Sequence, residues 1–139
     1  MKKILLSLFC LCLFPSVYAD DIATEQAKYT KIRKEAMKKY MPQNVKLQEL
    51  HASVNVLNEE LMNLAINLNS NIANAEVDAR WKELVKNQAS LIEKSTKFKN
   101  AIEKRRQLFV QMGELLSELE PKLREQGKRI WEAKQKAQI

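Results

Sequence analysis

The stretch LNSNIANA, residues 68–75, decides the fold, because it lies between two long segments that both have helical character. Three of its eight residues are asparagine and one is serine, and these residue types favour turns and helix ends over helix interiors. The chain either passes through this stretch as one continuous rod or turns back on itself. The spacing of apolar residues on its two sides distinguishes these possibilities.

Apolar residues recur at helical spacing on both sides of the stretch. A first series runs from Leu47 to Leu68 at 3-4 spacing, and a second runs from Val77 to Leu123 at 4-3 spacing. Such series pack against a partner helix in coiled coils. Continued past Leu68, the first series would place polar residues at core positions, and the second series is out of phase with it. The mismatch predicts a turn within residues 69–75, with Asn74 capping the following helix.

The composition predicts an all-α protein. The 139 residues include only 2 glycines and 3 prolines, which allow few chain reversals. Ala, Leu, Glu, Lys and Gln, which favour helix because they lose little side-chain freedom in it, are abundant. A β-rich or α/β domain would need many more turn positions.

We expect a long antiparallel helical hairpin, similar to a coiled coil, with a kinked first arm and a short C-terminal helix. Pro42 interrupts the first arm, since proline removes a backbone hydrogen bond inside a helix. Pro121 marks the start of the last helix, either as its first residue or just after a capping box. A compact three- or four-helix bundle that folds back at both prolines is the alternative. The predicted helices of this single domain, residues 20–139, are 20–41, 43–69, 75–119 and 121–137.

The N-terminus has the pattern of a secretory signal peptide. Two lysines precede an apolar run over residues 4–14, and Val17 and Ala19 occupy the small-residue positions of a cleavage site. The run is too short for a membrane-spanning helix. We therefore predict cleavage after Ala19 and a bacterial periplasmic or secreted protein. Cys10 and Cys12 both lie in residues 1–19, so the mature chain would contain no thiol.

The sequence offers no catalytic machinery. His51 is the only histidine, and without cysteine it cannot supply the ligands of a typical zinc site. No phosphate-binding glycine loop and no nucleophile–base constellation is recognisable. We predict a protein that is not an enzyme and that uses no catalytic residue, cofactor or metal.

Polar residues interrupt the second apolar series at Gln88, Ser95 and Arg105, which is typical of coiled coils whose register or oligomer state is fixed by buried polar groups. We expect the Arg105 head group to reach solvent near the Pro42 kink. Large apolar residues widen the stripe beyond what one hairpin buries, and this favours a protein partner or self-association. The candidate partner-binding residues are Trp81, Phe98, Leu108, Phe109, Val110 and Leu115.

The chain is basic, with a net charge of +7 that becomes +5 after loss of residues 1–19. Export argues against nucleic acid and leaves anionic lipids, cell-wall polymers and acidic protein surfaces as partners. The predicted last helix combines a net charge of +4 with Trp131, which follows Lys128 and Arg129. Packing on the hairpin accounts for this helix equally well. Its candidate contacts with an anionic surface are Lys128, Arg129, Trp131 and Lys134.

These features predict an exported helical protein that acts as an interaction, scaffold or accessory component of the bacterial cell envelope or of a secretion assembly. The profile of a small, basic, exported helical hairpin is similar to that of periplasmic holdase chaperones with helical tentacles. That resemblance implies many unfolded clients, but those chaperones also carry a strand-forming trimerisation body, and this chain has no strand segment. A holdase-like chaperone is the second hypothesis, and binding to a membrane or cell-wall surface is the third.

Overall fold

The computed structural model describes the backbone of residues 2–138 and the side chains of residues 19–138. Within that range the protein is all-helical and has no strand, which confirms the predicted class. The seven α-helices are α1 (Lys2–Tyr40), α2 (Val45–Leu68), α3 (Ser70–Asn74), α4 (Arg80–Lys86), α5 (Gln88–Lys94), α6 (Thr96–Leu119) and α7 (Pro121–Ala137); short 3-10 turns occupy Met41–Gln43 and Val77–Ala79. The predicted signal peptide falls almost wholly on residues whose side chains lie outside the described set.

No helix in the described part of the chain combines the length and the apolar character needed to cross a membrane. The chain divides into two compact units, one of residues 1–43 with 115–139 and one of residues 44–114. Helix α6 contributes residues to both.

In the first unit, α1 packs along α7. Ala36 of α1 and Leu123 of α7 are buried, together with the polar side chain of Gln126. Pro121 is the first residue of α7, where its missing N–H costs nothing because the first amides of a helix have no intrahelical partner.

The second unit begins at a helix break next to Pro42. Pro42 lies in the 3-10 turn, and Asn44 then adopts an extended conformation and caps α2. Its Oδ1 accepts a hydrogen bond from the Leu47 N–H at 2.9 Å. The first arm is therefore divided into two helices, α1 and α2, because the proline ring cannot continue the helix and the asparagine starts a new one.

The chain does not pass through LNSNIANA as a rod. Asn69 is extended, with φ −142° and ψ 113°, and its Oδ1 accepts from the N–H groups of Asn71 (2.9 Å) and Ile72 (3.3 Å). Helices α3 and α4 both contact α2, and Ile72 is completely buried. The predicted cap, Asn74, is instead the last residue of α3, and Arg80 begins the next α-helix without a side-chain cap.

The expected single helix over residues 75–119 is divided into α4, α5 and α6. At the first break, the Glu83 carbonyl accepts from both the backbone N–H (3.1 Å) and the side-chain Nδ2 (2.7 Å) of Asn87. At the second, Ser95 is extended, with φ −143° and ψ 117°, and its Oγ accepts from the Phe98 N–H at 3.1 Å. Two of the polar residues assigned to the seam, Gln88 and Ser95, thus lie at helix boundaries.

The segment also folds back on itself. Trp81 and Arg105 are 24 residues apart and would be separated by about 36 Å in one straight helix. The Arg105 Cζ atom lies 5.1 Å from the centre of the Trp81 ring. Residues 44–114 therefore fold as a helical bundle, whose core is formed by Leu57, Leu61, Ala65, Ile72, Leu84, Leu91, Phe98 and Ala101.

Candidate protein-interaction surface

Three helices of the second unit converge on the guanidinium of Arg105. Its Nε donates to Asn58 Oδ1 of α2 at 2.7 Å. The Arg105 Cζ lies 4.5 Å from the centre of the Phe109 ring, one helical turn further along α6, and 5.1 Å from the centre of the Trp81 ring of α4. Aromatic rings attract cations through their negative faces, so the guanidinium is fixed by one hydrogen bond and two ring contacts. We call these four residues the Arg105 cluster.

Within the part of the chain whose side chains the structure describes, no acidic group balances the charge of Arg105. Partial burial lowers the pKa of its guanidinium, although an arginine remains charged at neutral pH. In residues 19–138 no carboxylate forms an ion pair with it. Its neighbour Arg106 differs, since it donates from a terminal nitrogen to Glu103 at 2.7 Å and is largely exposed. The Arg105 head group was expected to reach solvent; Arg105 is half-buried, and Asn58 and the two rings hold its guanidinium in place.

An apolar groove of about 350 Å³ lies between α2 and α6. Leu57 and Leu108 line it, together with Val56, which is 64% exposed. Two charged residues of opposite sign, Glu60 and Lys104, also line it. The remaining lining residues are Ala52 and Ser53. We call this surface the α2–α6 groove.

The predicted partner-binding residues fall into different environments. Trp81 and Phe109 meet in the Arg105 cluster, and Leu108 lines the α2–α6 groove. Val110 is exposed, whereas Leu115 is half-buried and belongs to the first unit. Phe98 is completely buried in the bundle core, so its side chain packs inside the protein and is not at the surface.

The candidate anionic-surface residues of α7 also divide into two sets. Trp131 is 61% exposed, and Lys128 and Lys134 are exposed three residues before and after it. Residues three apart lie on the same side of a helix. Arg129 instead lines a groove of the first unit with Asp21 and Glu25 of α1, so acidic side chains partly offset its charge.

Helices α1 and α7 are joined by a polar contact that the sequence did not indicate. The buried Gln126 donates from Nε2 to the Glu25 carbonyl at 2.9 Å and also to the Glu25 carboxylate. Its hydrogen bond to the carboxylate, aided by Lys28 and Arg129, lowers the pKa of Glu25. Lys28 forms an ion pair with this carboxylate at 3.2 Å.

Sequence reasoning missed Asn58 and Val56. Asn58 stands among leucines of the first apolar series, and only its cross-helix partner gives it a role. Val56 lies off that series, so nothing in its spacing distinguished it from an isolated surface valine. His51 is exposed, and the described residues contain no cluster of potential metal ligands.

The chain matches no protein-family model, and comparisons with curated proteins and with solved structures find no similar chain.

Proposed function

We propose that this is an exported, non-enzymatic protein that binds another protein as a scaffold or accessory component of the bacterial cell envelope or of a secretion assembly. The α2–α6 groove is the observation that carries the proposal. The signal-peptide pattern of residues 1–19 supports export to the periplasm or beyond.

The groove has the composition of a small protein-binding site. Its lining is mainly apolar, with Val56 and Leu108 available at its surface, and charged residues stand at Glu60 and Lys104. Interfaces commonly combine an apolar centre with a polar rim. An apolar segment of a partner would cover Val56, and the two opposite charges would set its orientation.

We propose in addition that α2 and α6 pack in antiparallel, hairpin-like fashion, as in a coiled coil. The groove residues support this pairing, since Ala52 and Ser53 share it with Leu108, and Glu60 shares it with Lys104. In this arrangement a second copy of the chain could supply the covering helix, which would make the protein a homo-oligomer.

A photo-crosslinking amino acid at Val56 tests the function in intact cells. We expect it to capture one dominant protein, or a discrete dimer of the chain itself. The chain that carries the probe should begin at Asp20, because we predict signal cleavage after Ala19. The matched control is the same probe at Asn55, which is also exposed on α2 but is not part of the groove. Equal capture by both probes would contradict the proposal. Capture of many unrelated exported proteins would favour the holdase-like alternative.

A second candidate function is binding to an anionic membrane or cell-wall surface through α7. It is favoured by the 61% exposure of Trp131 between the exposed lysines 128 and 134, since a tryptophan flanked by cations suits the interface of an anionic bilayer. Trp131→Ala should then abolish sedimentation with vesicles that contain phosphatidylglycerol. The control Gln135→Ala, at an exposed position of the same helix, should bind normally. Unchanged binding by Trp131→Ala would exclude this function.

A further inference from the structure

Arg105 presents hydrogen-bond donors that the described part of the protein does not use. Asn58 accepts from Nε alone, and the two terminal nitrogens of the guanidinium have no acceptor in residues 19–138. Those nitrogens form part of the planar fork with which arginine binds a carboxylate through two parallel hydrogen bonds. A second binding partner with acceptor oxygens would complete the set.

The surroundings of Arg105 also favour an anion. The rings of Trp81 and Phe109 lie within 5.1 Å and 4.5 Å of Cζ, so they take the place of water beside the guanidinium. A partly desolvated charge without a counter-ion is unfavourable, and an ion of opposite sign relieves that cost. Lys104, which is exposed and precedes Arg105 in the sequence, adds to the local positive potential that attracts such an ion, whereas Glu103 offsets the charge of Arg106.

An apolar surface adjoins the cluster on α4. Trp81 is 36% exposed, and Val85, one helical turn further along, is 53% exposed. Residues four apart lie on one side of a helix. A partner residue next to the anion would bury its apolar side chain on this pair.

From this geometry we infer that the Arg105 cluster is a binding site for an acidic peptide, in which Arg105 holds the carboxylate of an aspartate or glutamate and Trp81 with Val85 packs against a neighbouring apolar residue. The inference rests on the proposed function, because it specifies the chemistry of the protein partner. It assigns Asn58 and Phe109 the role of positioning residues that hold the guanidinium.

Selection from a displayed library of random peptides tests the inference with the full mature chain. The wild-type protein should enrich peptides that carry Asp or Glu beside an apolar residue. Arg106→Gln is the matched control, because it removes the same charge from the adjacent, exposed residue, and it should enrich the same peptides. Arg105→Gln should lose them.

Because Arg105→Gln could lose binding by misfolding, a second test measures peptide binding to the wild-type protein alone and changes only the peptide. An enriched peptide and its Glu→Gln or Asp→Asn counterpart are compared on the wild-type protein, and the amide peptide should bind about tenfold more weakly or worse. Peptides with a free and an amidated C-terminus distinguish a side-chain carboxylate from a terminal one. Binding that follows the terminal carboxylate would overturn the assignment to Asp or Glu.

Several outcomes would overturn the inference. These are enrichment of no peptide by the wild type, enrichment of peptides without acidic residues, equal losses in Arg105→Gln and Arg106→Gln, and selective loss of binding to phosphatidylglycerol vesicles by Arg105→Gln. If the probe at Val56 still captures one discrete partner in any of these cases, the proposed function stands and only the assignment of its carboxylate site fails.

Discussion

Gly113 and Gly127 lie inside α6 and α7, where the helical backbone does not require glycine. Among the described residues, a methyl group at Gly113 would meet nothing within 4 Å, and one at Gly127 would lie 4.0 Å from Cε2 of Tyr29, an ordinary contact. Neither glycine has a positive φ. Alanine should therefore be accepted at both positions.

We expect Gly113→Ala and Gly127→Ala each to raise the free energy of unfolding by about 0.5–1 kcal/mol, because alanine loses less backbone entropy in a helix. Urea denaturation followed by circular dichroism measures the effect. A destabilised Gly127→Ala variant would show that the added methyl group clashes with Tyr29, and would contradict the packing of α7 on α1. Gly113→Ala, with no neighbour to meet, serves as its control.

The pKa of Glu25 lies below its ordinary value of 4.5, chiefly because Gln126 donates a hydrogen bond to the carboxylate. A carboxyl whose pKa is lower in the folded than in the unfolded protein stabilises the fold above its unfolded pKa. That stabilisation is lost as the pH falls through 4.5 towards the folded pKa. Stability of the α1–α7 unit should therefore decrease on acidification in this range.

Urea denaturation between pH 7 and pH 3 tests this dependence by comparing the wild type with Glu25→Gln. The difference in unfolding free energy between the two should shrink as the pH falls, because the carboxylate is then protonated in the wild type as well. Glu103, whose pKa Arg106 lowers, titrates in both proteins and cancels in the comparison. A difference that stays constant with pH would refute the assigned role of Glu25.

At the scale of the helical element, three breaks use the same device. Asn44, Asn69 and Ser95 each adopt an extended conformation, and the side-chain oxygen of each accepts a backbone N–H of the following helix. The turn within LNSNIANA was predictable from its three asparagines, but composition alone could not select Asn69 over Asn74 as the cap. In the structure Asn69 caps α3, and Ile72, three residues later, is completely buried.

The Ser95 break was missed for a physical reason. A single extended residue interrupts the helix without disturbing the spacing of buried residues, since Leu84, Leu91 and Phe98 remain seven apart. The residue three positions after Ser95 is Phe98, so no capping box marks the start of α6. A polar seam position and a helix cap therefore give the same sequence pattern.

Replacement of Ser95 by alanine tests the capping role. We expect Ser95→Ala to lower the free energy of unfolding by about 1 kcal/mol, because the Phe98 N–H loses its acceptor. The control Ser90→Ala changes an exposed serine within α5 and should alter stability little. Equal effects of the two substitutions in thermal unfolding would argue against Ser95 as a cap.

At the scale of the whole molecule, composition was sufficient for the all-α class, because the scarcity of glycine and proline permits little else. It could not place the Arg105 cluster. Asn58, Trp81 and Arg105 are distant in sequence and meet only because the chain turns back between α4 and α6. In a continuous 75–119 helix the two predicted contact residues Trp81 and Phe109 would lie far apart, and no carboxylate site could be inferred.

This fold-back within residues 44–114 is directly measurable by pulsed electron paramagnetic resonance. Spin labels at the exposed positions Lys82 and Arg106 are 24 residues apart and would be separated by roughly 36 Å in one straight helix. The control pair Lys97 and Glu114 is 17 residues apart within α6, or roughly 25 Å. Because Trp81 and Arg105 are in contact, we expect the first pair to give the shorter distance even though it spans more of the sequence. A longer distance for the first pair than for the control pair would favour the continuous 75–119 helix and contradict the Arg105 cluster.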